Sequence, residues 1–165
     1  MKTILESWRR YLTEEKKTIN SKEELIAIIK KSPDKEIYLD NPKGTTKKFG
    51  GAEPRKLPFD YGEYPELINP ADGMGWDIII LPGSTEEDKN LLPVGHVSYY
   101  EDEKLWSDHD RPMPENIGDN HKILVCKDGD CSAAAKTLIE DFFDDLWQFK
   151  EVVWYDQGSE DREDG

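Results

Sequence analysis

The chain has 165 residues and a formal net charge of −14, from 36 acidic and 22 basic residues, which opposes nonspecific binding to nucleic acid or to an anionic membrane. This length suffices for one domain with a buried core. Two cysteines do not make a disulfide framework, and the chain shows neither a membrane-spanning run nor the apolar core of a signal peptide, so a reducing, cytoplasmic setting is expected.

Two helices are predicted at the start of the chain. The first, over residues 1–17, is amphipathic, because its apolar residues recur on one helical face: Ile4, Leu5, Trp8, Tyr11 and Leu12. Residues 18–20 are predicted to break it. Ser21 followed by Glu24 forms a capping box, which predicts a second helix that continues to about Lys31.

Short apolar runs with turn residues at their ends predict strands. They lie at Glu36–Leu39, Trp76–Leu81, Val94–Tyr100, Lys122–Cys126 and Val152–Tyr155. Residues 41–58 are rich in Gly, Lys and Pro and are predicted to form loops with one hairpin. Residues 101–121 form a long polar segment, and a loop of that length inside a compact domain is usually functional or mobile.

Ser132 is the expected N-cap of a long helix over Ala133–Phe149, whose apolar residues follow helical spacing. Residues 156–165 are predicted to be a disordered acidic tail. The elements predict an α+β fold, a small curled sheet or β-barrel with helices packed outside. The expected organisation is a leader helix and linker over 1–20, one domain over 21–155, and the tail.

The sharpest chemical signal is the run Asp72-Gly-Met-Gly-Trp-Asp77, which leads directly into a predicted buried strand. Glycines give the backbone the freedom to turn there, so the two carboxylates can converge on one cation. A turn of this kind before a strand is also common as a purely structural feature. The run alone leaves both interpretations open.

Two further motifs flank this run. Pro58-Phe-Asp-Tyr-Gly62 precedes it, and Leu92-Pro-Val-Gly95 follows it. The order and spacing resemble those of soluble inorganic pyrophosphatases, which show P-x-N-Y-G, then D-G-D-P-x-D before an apolar strand, then R-P-V-G. The Phe142–Phe143 pair, followed by a strand near Trp154, is similar to the end of that family. The resemblance covers residues 36–155.

The resemblance implies an OB-like barrel and Mg²⁺-dependent hydrolysis of pyrophosphate, in which metal ions activate water while Lys, Arg and Tyr bind phosphate oxygens. It implies catalytic roles for Asp77, Lys122 and Tyr61. It also implies metal ligands and phosphate contacts. The metal ligands would be Asp72, Asp77, Glu101 and Asp119, with Asp102 as the alternative to Glu101; the phosphate contacts would be Arg55, Lys47, Tyr61 and Lys150.

The position of the family's D-x-K motif is open between Asn120-His-Lys122 and Asp102-Glu-Lys104, and Lys122 is preferred because KILVC is the better strand. Three family carboxylates are replaced, by Tyr38, Met74 and Asn120. Methionine sulfur is too soft to bind Mg²⁺ well. Either acids of the 101–121 segment substitute for them, or the fold persists as a catalytically inactive binding or virion-associated protein. The replacement acids would be Asp108, Asp110, Glu115 and Asp119.

The first residues, Met1 to Glu14, resemble the short leaders of proteins from T4-like tailed bacteriophages, which are cut after L-x-E or I-x-E. Leu12-Thr13-Glu14 fits such a site, as do two other tripeptides of the chain. A helix that simply docks on the domain is the structural alternative.

The expected partners are a small phosphate substrate and, as is common in the family, other copies of the chain. The expected location is host cytoplasm or virion interior. An acidic nucleic-acid mimic, based on charge alone, is a third interpretation.

Overall fold

The fold centres on one mixed sheet with helices on both faces. A computed structural model describes residues 16–49, 53–71, 73–114, 117 and 121–155. In chain order its elements are β1 Lys17–Thr18, α1 Lys22–Lys31, β2 Tyr38–Asn41, β3 Thr46–Lys47, β4 Arg55–Lys56, β5 Asp60–Asn69, β6 Met74–Ile80, β7 Leu91–Tyr99, α2 Glu103–Asp108, β8 Lys122–Lys127, α3 Ala133–Asp144 and β9 Phe149–Trp154. Most of the predicted leader helix, and the acidic tail, lie outside the described residues.

The sheet runs in the order β1-β5-β6-β8-β7-β9, and β2 also pairs with β5. The β1–β5 and β6–β8 pairs are parallel, and the other pairs are antiparallel. Among the described strands β9 pairs only with β7, and β1 and β2 pair only with β5, so the two edges do not meet. The α+β class is confirmed, but the sheet is open and is not closed into the predicted barrel.

Alternating side chains build a separate core on each face of the sheet. The core on the α1 side contains Ile19, Leu25, Ile29, Tyr64, Leu67, Trp76, Ile78, Ile80, Leu91, Ile123 and Val125. The core on the α3 side combines strand residues with two aromatic residues of the last helix and strand. It includes Phe49, Phe59, Tyr61, Ile79, Val97, Leu124, Ile139, Phe143, Leu146 and Phe149.

The predicted capping box starts α1. Ser21 accepts a hydrogen bond from the Glu24 amide at 3.1 Å, and the Glu24 carboxylate accepts one from the Asn20 amide at 3.0 Å. Residues 18–20 are not helical, as predicted, but the predicted extent of the leader helix to residue 17 is wrong, because Lys17 and Thr18 form β1. Ile19, which follows β1, is fully buried. The indole N–H of Trp76 donates to the Ile19 carbonyl at 3.1 Å and fixes this segment to the sheet.

Strands predicted from apolar runs are present with shifted ends, and β3 and β4 form the predicted hairpin. Sequence patterns missed β5, because Gly62 and Pro65 interrupt its alternation, and missed the short helix α2 inside the 101–121 segment. The C-terminal helix ends at Asp144 instead of Phe149. Phe149 instead begins β9 and packs in the core.

Cys126 and Cys131 form a disulfide that joins the end of β8 to the residue before the α3 N-cap. Cys126 is buried in the core on the α3 side. The intervening turn brings the sulfurs together, with Asp128 and Gly129 at positive φ. Disulfides are commonest in oxidising compartments, so this pair does not add support for a reducing one.

In the described part of the chain, no helix is both long and apolar enough to cross a bilayer.

Candidate functional site

The carboxylate of Asp77 is the centre of a polar cluster on the α3 side of the sheet. Its Oδ2 atom accepts a hydrogen bond from the Tyr61 hydroxyl at 3.1 Å and another from the Lys122 ammonium at 3.0 Å. The Lys122 side chain is 6% exposed, whereas the Asp77 side chain is 29% exposed. The carboxylate is therefore accessible to a ligand, while the lysine beneath it is buried.

Strand register explains why these three residues meet. Tyr61 pairs with Ile79, so Asp77, two residues earlier on β6, lies diagonally opposite Tyr61 on the same face. Asp77 and Lys122 lie beside each other because the residues that follow them are paired across β6 and β8. Three motifs that are far apart in the chain thus supply adjacent positions on adjacent strands.

Tyr99 extends the cluster across β7. Lys122 pairs with Val97, and Tyr99 lies two residues beyond Val97 on the same face. The Lys122 ammonium lies 5.3 Å from the centroid of the Tyr61 ring and 5.4 Å from that of the Tyr99 ring. At these distances the ring faces attract the ammonium and help to compensate for its burial.

Lys47, on the β3–β4 hairpin, adds a second ammonium. Its Nζ lies 4.7 Å from the centroid of the Tyr61 ring and 5.3 Å from the centroid of the Phe49 ring. The side chain is half-buried. The cluster therefore places the half-buried Lys47 ammonium near one partly exposed carboxylate, with the charge of the buried Lys122 beneath it. This arrangement is suited to binding an anion that carries several oxygens.

Asp40 lies at a β-bulge beside the cluster. Leu39 pairs with Gly62 and Asn41 pairs with Tyr61, which leaves Asp40 as the extra residue of β2. Bulges redirect a side chain, and they are common next to active sites. A side chain at Gly62 would collide with the Tyr38 carbonyl, so this glycine lets β2 approach closely enough for the bulge to form opposite Tyr61.

The two lysines differ in how their protonation responds to this environment. Burial would lower the pKa of Lys122, but the oxygens of Tyr61, Tyr99 and Asp77 outweigh it and hold that pKa well above its ordinary value, so Lys122 stays charged. Burial lowers the pKa of Lys47, and the positive charge of Lys122 lowers it further. Lys47 is the cation of the cluster whose charge is lost first as the pH rises.

The pKa values of Asp40 and Tyr61 are raised, whereas that of Lys47 is lowered. Burial raises the pKa of Asp40, and the nearby charge of Asp77 raises it further. Burial also raises the pKa of Tyr61 far above the physiological range, so its hydroxyl remains a hydrogen-bond donor. Asp40 and Asp77 are thus close enough for their charges to repel each other.

The carboxylates of the cluster are chemically suited to Mg²⁺, although in the described ranges no group of three or more His, Cys, Asp or Glu side chains could hold a metal. Mg²⁺ is commonly held by one or two carboxylates, with water and substrate phosphates completing its shell. A cation near Asp40 and Asp77 would relieve the repulsion that raises the pKa of Asp40. The predicted ligands Asp72 and Asp119 lie outside the described residues.

Arg55, predicted to contact phosphate, interacts with α3. Its guanidinium forms an ion pair with Asp145 at 2.8 Å and donates to the Phe142 carbonyl at 3.1 Å. The group also lies 5.5 Å from the centroid of the Phe142 ring. These contacts give Arg55 a structural explanation, and hold the β3–β4 hairpin against the helix.

Lys150 and Glu101, the remaining predicted site residues, are both exposed and lie apart from the Asp77 hydrogen bonds. Lys150 lies on β9 and lines an open cavity of about 690 Å³ whose walls include Tyr100, Asp102 and Trp147. Glu101 comes just before α2, whose N-cap is Asp102. The structure therefore brings together Tyr61, Asp77, Lys122 and Lys47, and places Arg55, Lys150 and Glu101 elsewhere.

Sequence reasoning missed Asp40 and Tyr99. The signal for Asp40 was its position two residues after Tyr38, because alternate strand residues share a face. The bulge that positions Asp40 leaves no mark in the sequence. Tyr99 was included in a predicted strand, but its approach to Lys122 depends on the pairing of β7 with β8.

No protein-family model, curated protein or solved structure matches this chain.

Proposed function

We propose that this chain is a Mg²⁺-dependent hydrolase of pyrophosphate or a related phosphoanhydride. The observation that supports the proposal is the hydrogen-bonded contact among Tyr61, Asp77 and Lys122. The resemblance to pyrophosphatases assigned roles to these three residues from three separate motifs. If the three motifs were unrelated to one another, there would be no reason for Tyr61 and Lys122 to donate to the same oxygen of Asp77.

In the proposed reaction the oxygen of one water molecule bonds to phosphorus, and the P–O bond to the bridging oxygen breaks. One pyrophosphate and one water yield two orthophosphates, and the released proton passes to product or solvent. Mg²⁺, when bound, supplies charge neutralisation and lowers the pKa of water. Asp40 and Asp77 would hold it.

The other cluster residues bind and orient the substrate. The Lys47 and Lys122 ammoniums offset the charge that develops on phosphoryl oxygens. The Tyr61 hydroxyl and Lys122 also hold the Asp77 carboxylate in one orientation, which fixes the position of any ion bound to it.

The test is phosphate release from pyrophosphate by the purified protein, with and without millimolar Mg²⁺. We expect metal-dependent release that Asp77→Asn lowers at least a hundredfold. Asp141→Asn, the same change at an exposed position on α3, is the matched control and should have no effect. Metal-independent release, or equal activity in both variants, would contradict the proposal.

A catalytically inactive phosphate-binding protein is the second candidate, and Met74 is the observation that favours it. Met74 takes the place of the family's middle carboxylate and is 59% exposed at the start of β6. If the natural protein binds pyrophosphate without hydrolysing it, this second candidate replaces the first. Activity gained by Met74→Asp in that case would identify the lost carboxylate as the cause.

We also propose host cytoplasm or virion interior as the location, on the leader resemblance alone. An intact mass showing a chain that starts at Glu15 in purified virions would support this. A full-length chain found only outside virions would exclude packaging.

A further inference from the structure

A small aromatic cavity lies directly beside the Asp77 cluster. It has a volume of about 180 Å³, and the rings of Phe49, Tyr99, Trp106 and Phe149 form most of its wall. This space accommodates a planar ring system of nucleobase size, and it is too small for a whole nucleotide. Aromatic side chains bind nucleobases by stacking, largely irrespective of which base is present.

Among the described residues, one residue of the cavity wall has a buried polar atom without a hydrogen-bond partner. Gln148 lines the cavity and is 2% exposed. Its Nε2 atom donates to the Phe49 carbonyl at 2.7 Å, which fixes the orientation of the amide. The Oε1 atom is buried with no hydrogen-bond partner. An unpaired buried acceptor is costly, so a ligand that offers an N–H group would relieve it.

The cavity shares two walls with the proposed phosphate site. The ammonium of Lys47 lies 5.3 Å from the Phe49 ring, and that of Lys122 lies 5.4 Å from the Tyr99 ring. One molecule can therefore place a ring in the cavity and an anionic group at Lys47, the less buried of the two lysines. The two ammoniums also oppose a cationic ligand, which an aromatic cavity alone could otherwise bind.

We propose that the substrate is a nucleoside polyphosphate, with its base in the cavity and its phosphates at the Lys47 ammonium. An exocyclic amino group, as in adenine or cytosine, would donate to Oε1 of Gln148. This proposal rests on the proposed function and narrows it. The chemistry is unchanged, because water adds to phosphorus and one P–O–P bond breaks, which divides the nucleotide into two phosphate-bearing products.

The test compares the binding of ATP with that of tripolyphosphate, by calorimetry with millimolar Mg²⁺. Both ligands carry a triphosphate chain, so the difference reports the base and its sugar. We expect ATP to bind at least about fivefold more tightly, which corresponds to the lower end of base stacking on aromatic side chains. Equal dissociation constants would overturn the nucleotide proposal and leave the phosphate site standing. Binding of neither anion would overturn both.

Three variants locate the effect. Gln148→Met keeps the size of the side chain but removes the acceptor, and Trp106→Leu removes one wall; each should reduce the preference for ATP over tripolyphosphate several-fold. Trp154→Leu is the matched control, since Trp154 is a half-buried tryptophan on β9 that does not line the cavity. If all three variants keep the natural preference, the base does not occupy this cavity. Circular dichroism establishes that each variant is folded.

Discussion

The two faces of the central sheet are made by alternate residues of the same strands, yet the two faces differ in chemical character. On the α1 side, Ile78 and Ile123 pack in a core of apolar and aromatic side chains. Immediately beside them, Asp77 and Lys122 point to the α3 side and form an ion pair at its edge. The α1 face thus serves stability, whereas the α3 face combines a core with an accessible charged site. Adjacent positions of one strand can therefore be changed to test stability and function separately.

The largest expected effect is on the α1 face. Leu25 is fully buried there, so Leu25→Ala should lower the free energy of unfolding by about 2–5 kcal/mol. Phosphate release per folded molecule should not change. Ile26→Ala, at a partly exposed position of the same helix, is the control and should cost less. Urea unfolding measures both, and a loss of activity in folded Leu25→Ala protein would break the distinction between the faces.

Two neighbouring residues of β8 sharpen the comparison. Lys122→Met removes the buried cation and should lower the rate of phosphate release at least about a hundredfold, as does loss of one preorganised electrostatic group in other enzymes. Ile123→Val should destabilise the fold by about 0.5–1.5 kcal/mol and leave the rate unchanged. Steady-state kinetics measures the rate of phosphate release for both variants, and thermal unfolding measures their stability. Equal kinetic effects would mean that the strand, and not its charged face, controls activity.

Two tyrosines of β5 offer the same contrast on a smaller scale. The Tyr64 hydroxyl is buried on the α1 side and has no hydrogen-bond partner within the described part of the chain, so Tyr64→Phe should raise the free energy of unfolding by about 1 kcal/mol. Tyr61→Phe removes the hydrogen bond to Asp77 and should lower the free energy of unfolding by about 1 kcal/mol. The same substitution should also lower the rate of phosphate release. Denaturant titration checks the signs, and a loss of stability in Tyr64→Phe would point to a water-mediated partner.

The smallest effect concerns the pH dependence of activity. In the proposed mechanism protonated Lys47 binds phosphate. Burial lowers its pKa below the ordinary 10.5, so activity should fall on the alkaline side before an ordinary lysine titrates. The pKa of Asp40 lies above 3.8, so metal binding should weaken on the acidic side earlier than for an ordinary aspartate. The active pH range is narrowed from both sides.

Replacing Lys47 by arginine tests the alkaline limb of this profile alone. Arginine stays charged to a far higher pH. Lys47→Arg should therefore move the alkaline limb upward and leave the acidic limb in place. An unchanged alkaline limb would assign it to another group.

Sequence patterns predicted those parts of the fold that short-range signals determine. The capping box of α1 and the apolar run of β6 are examples, since each depends on neighbouring residues. The predictions of α3 and β9 shared an error: Leu146 and Trp147 continue a helical spacing, but the chain leaves the helix at Asp144 so that Phe149 can pair with Tyr99. Strand pairing over long separations decides such cases, and no local pattern records it.

Only part of the candidate site could be predicted from the sequence. Tyr61, Asp77 and Lys122 were named because motifs marked them, and their contact follows from the register of β5, β6 and β8. Asp40 and the cavity around Gln148 could not be named. They depend on a bulge and on rings brought together from distant segments, which are properties of the folded chain.

The placement of β1 bears on how far the chain can be shortened. Because Lys17–Thr18 pair with β5 and Ile19 accepts the indole hydrogen bond of Trp76, the folded unit requires residues from about Lys17 onward. A proteolytic cut after Glu14 would spare every one of these contacts, whereas a cut after Ile19 would remove a fully buried side chain. Cleavage at the Leu12-Thr13-Glu14 tripeptide would therefore leave β1 and its described contacts in place.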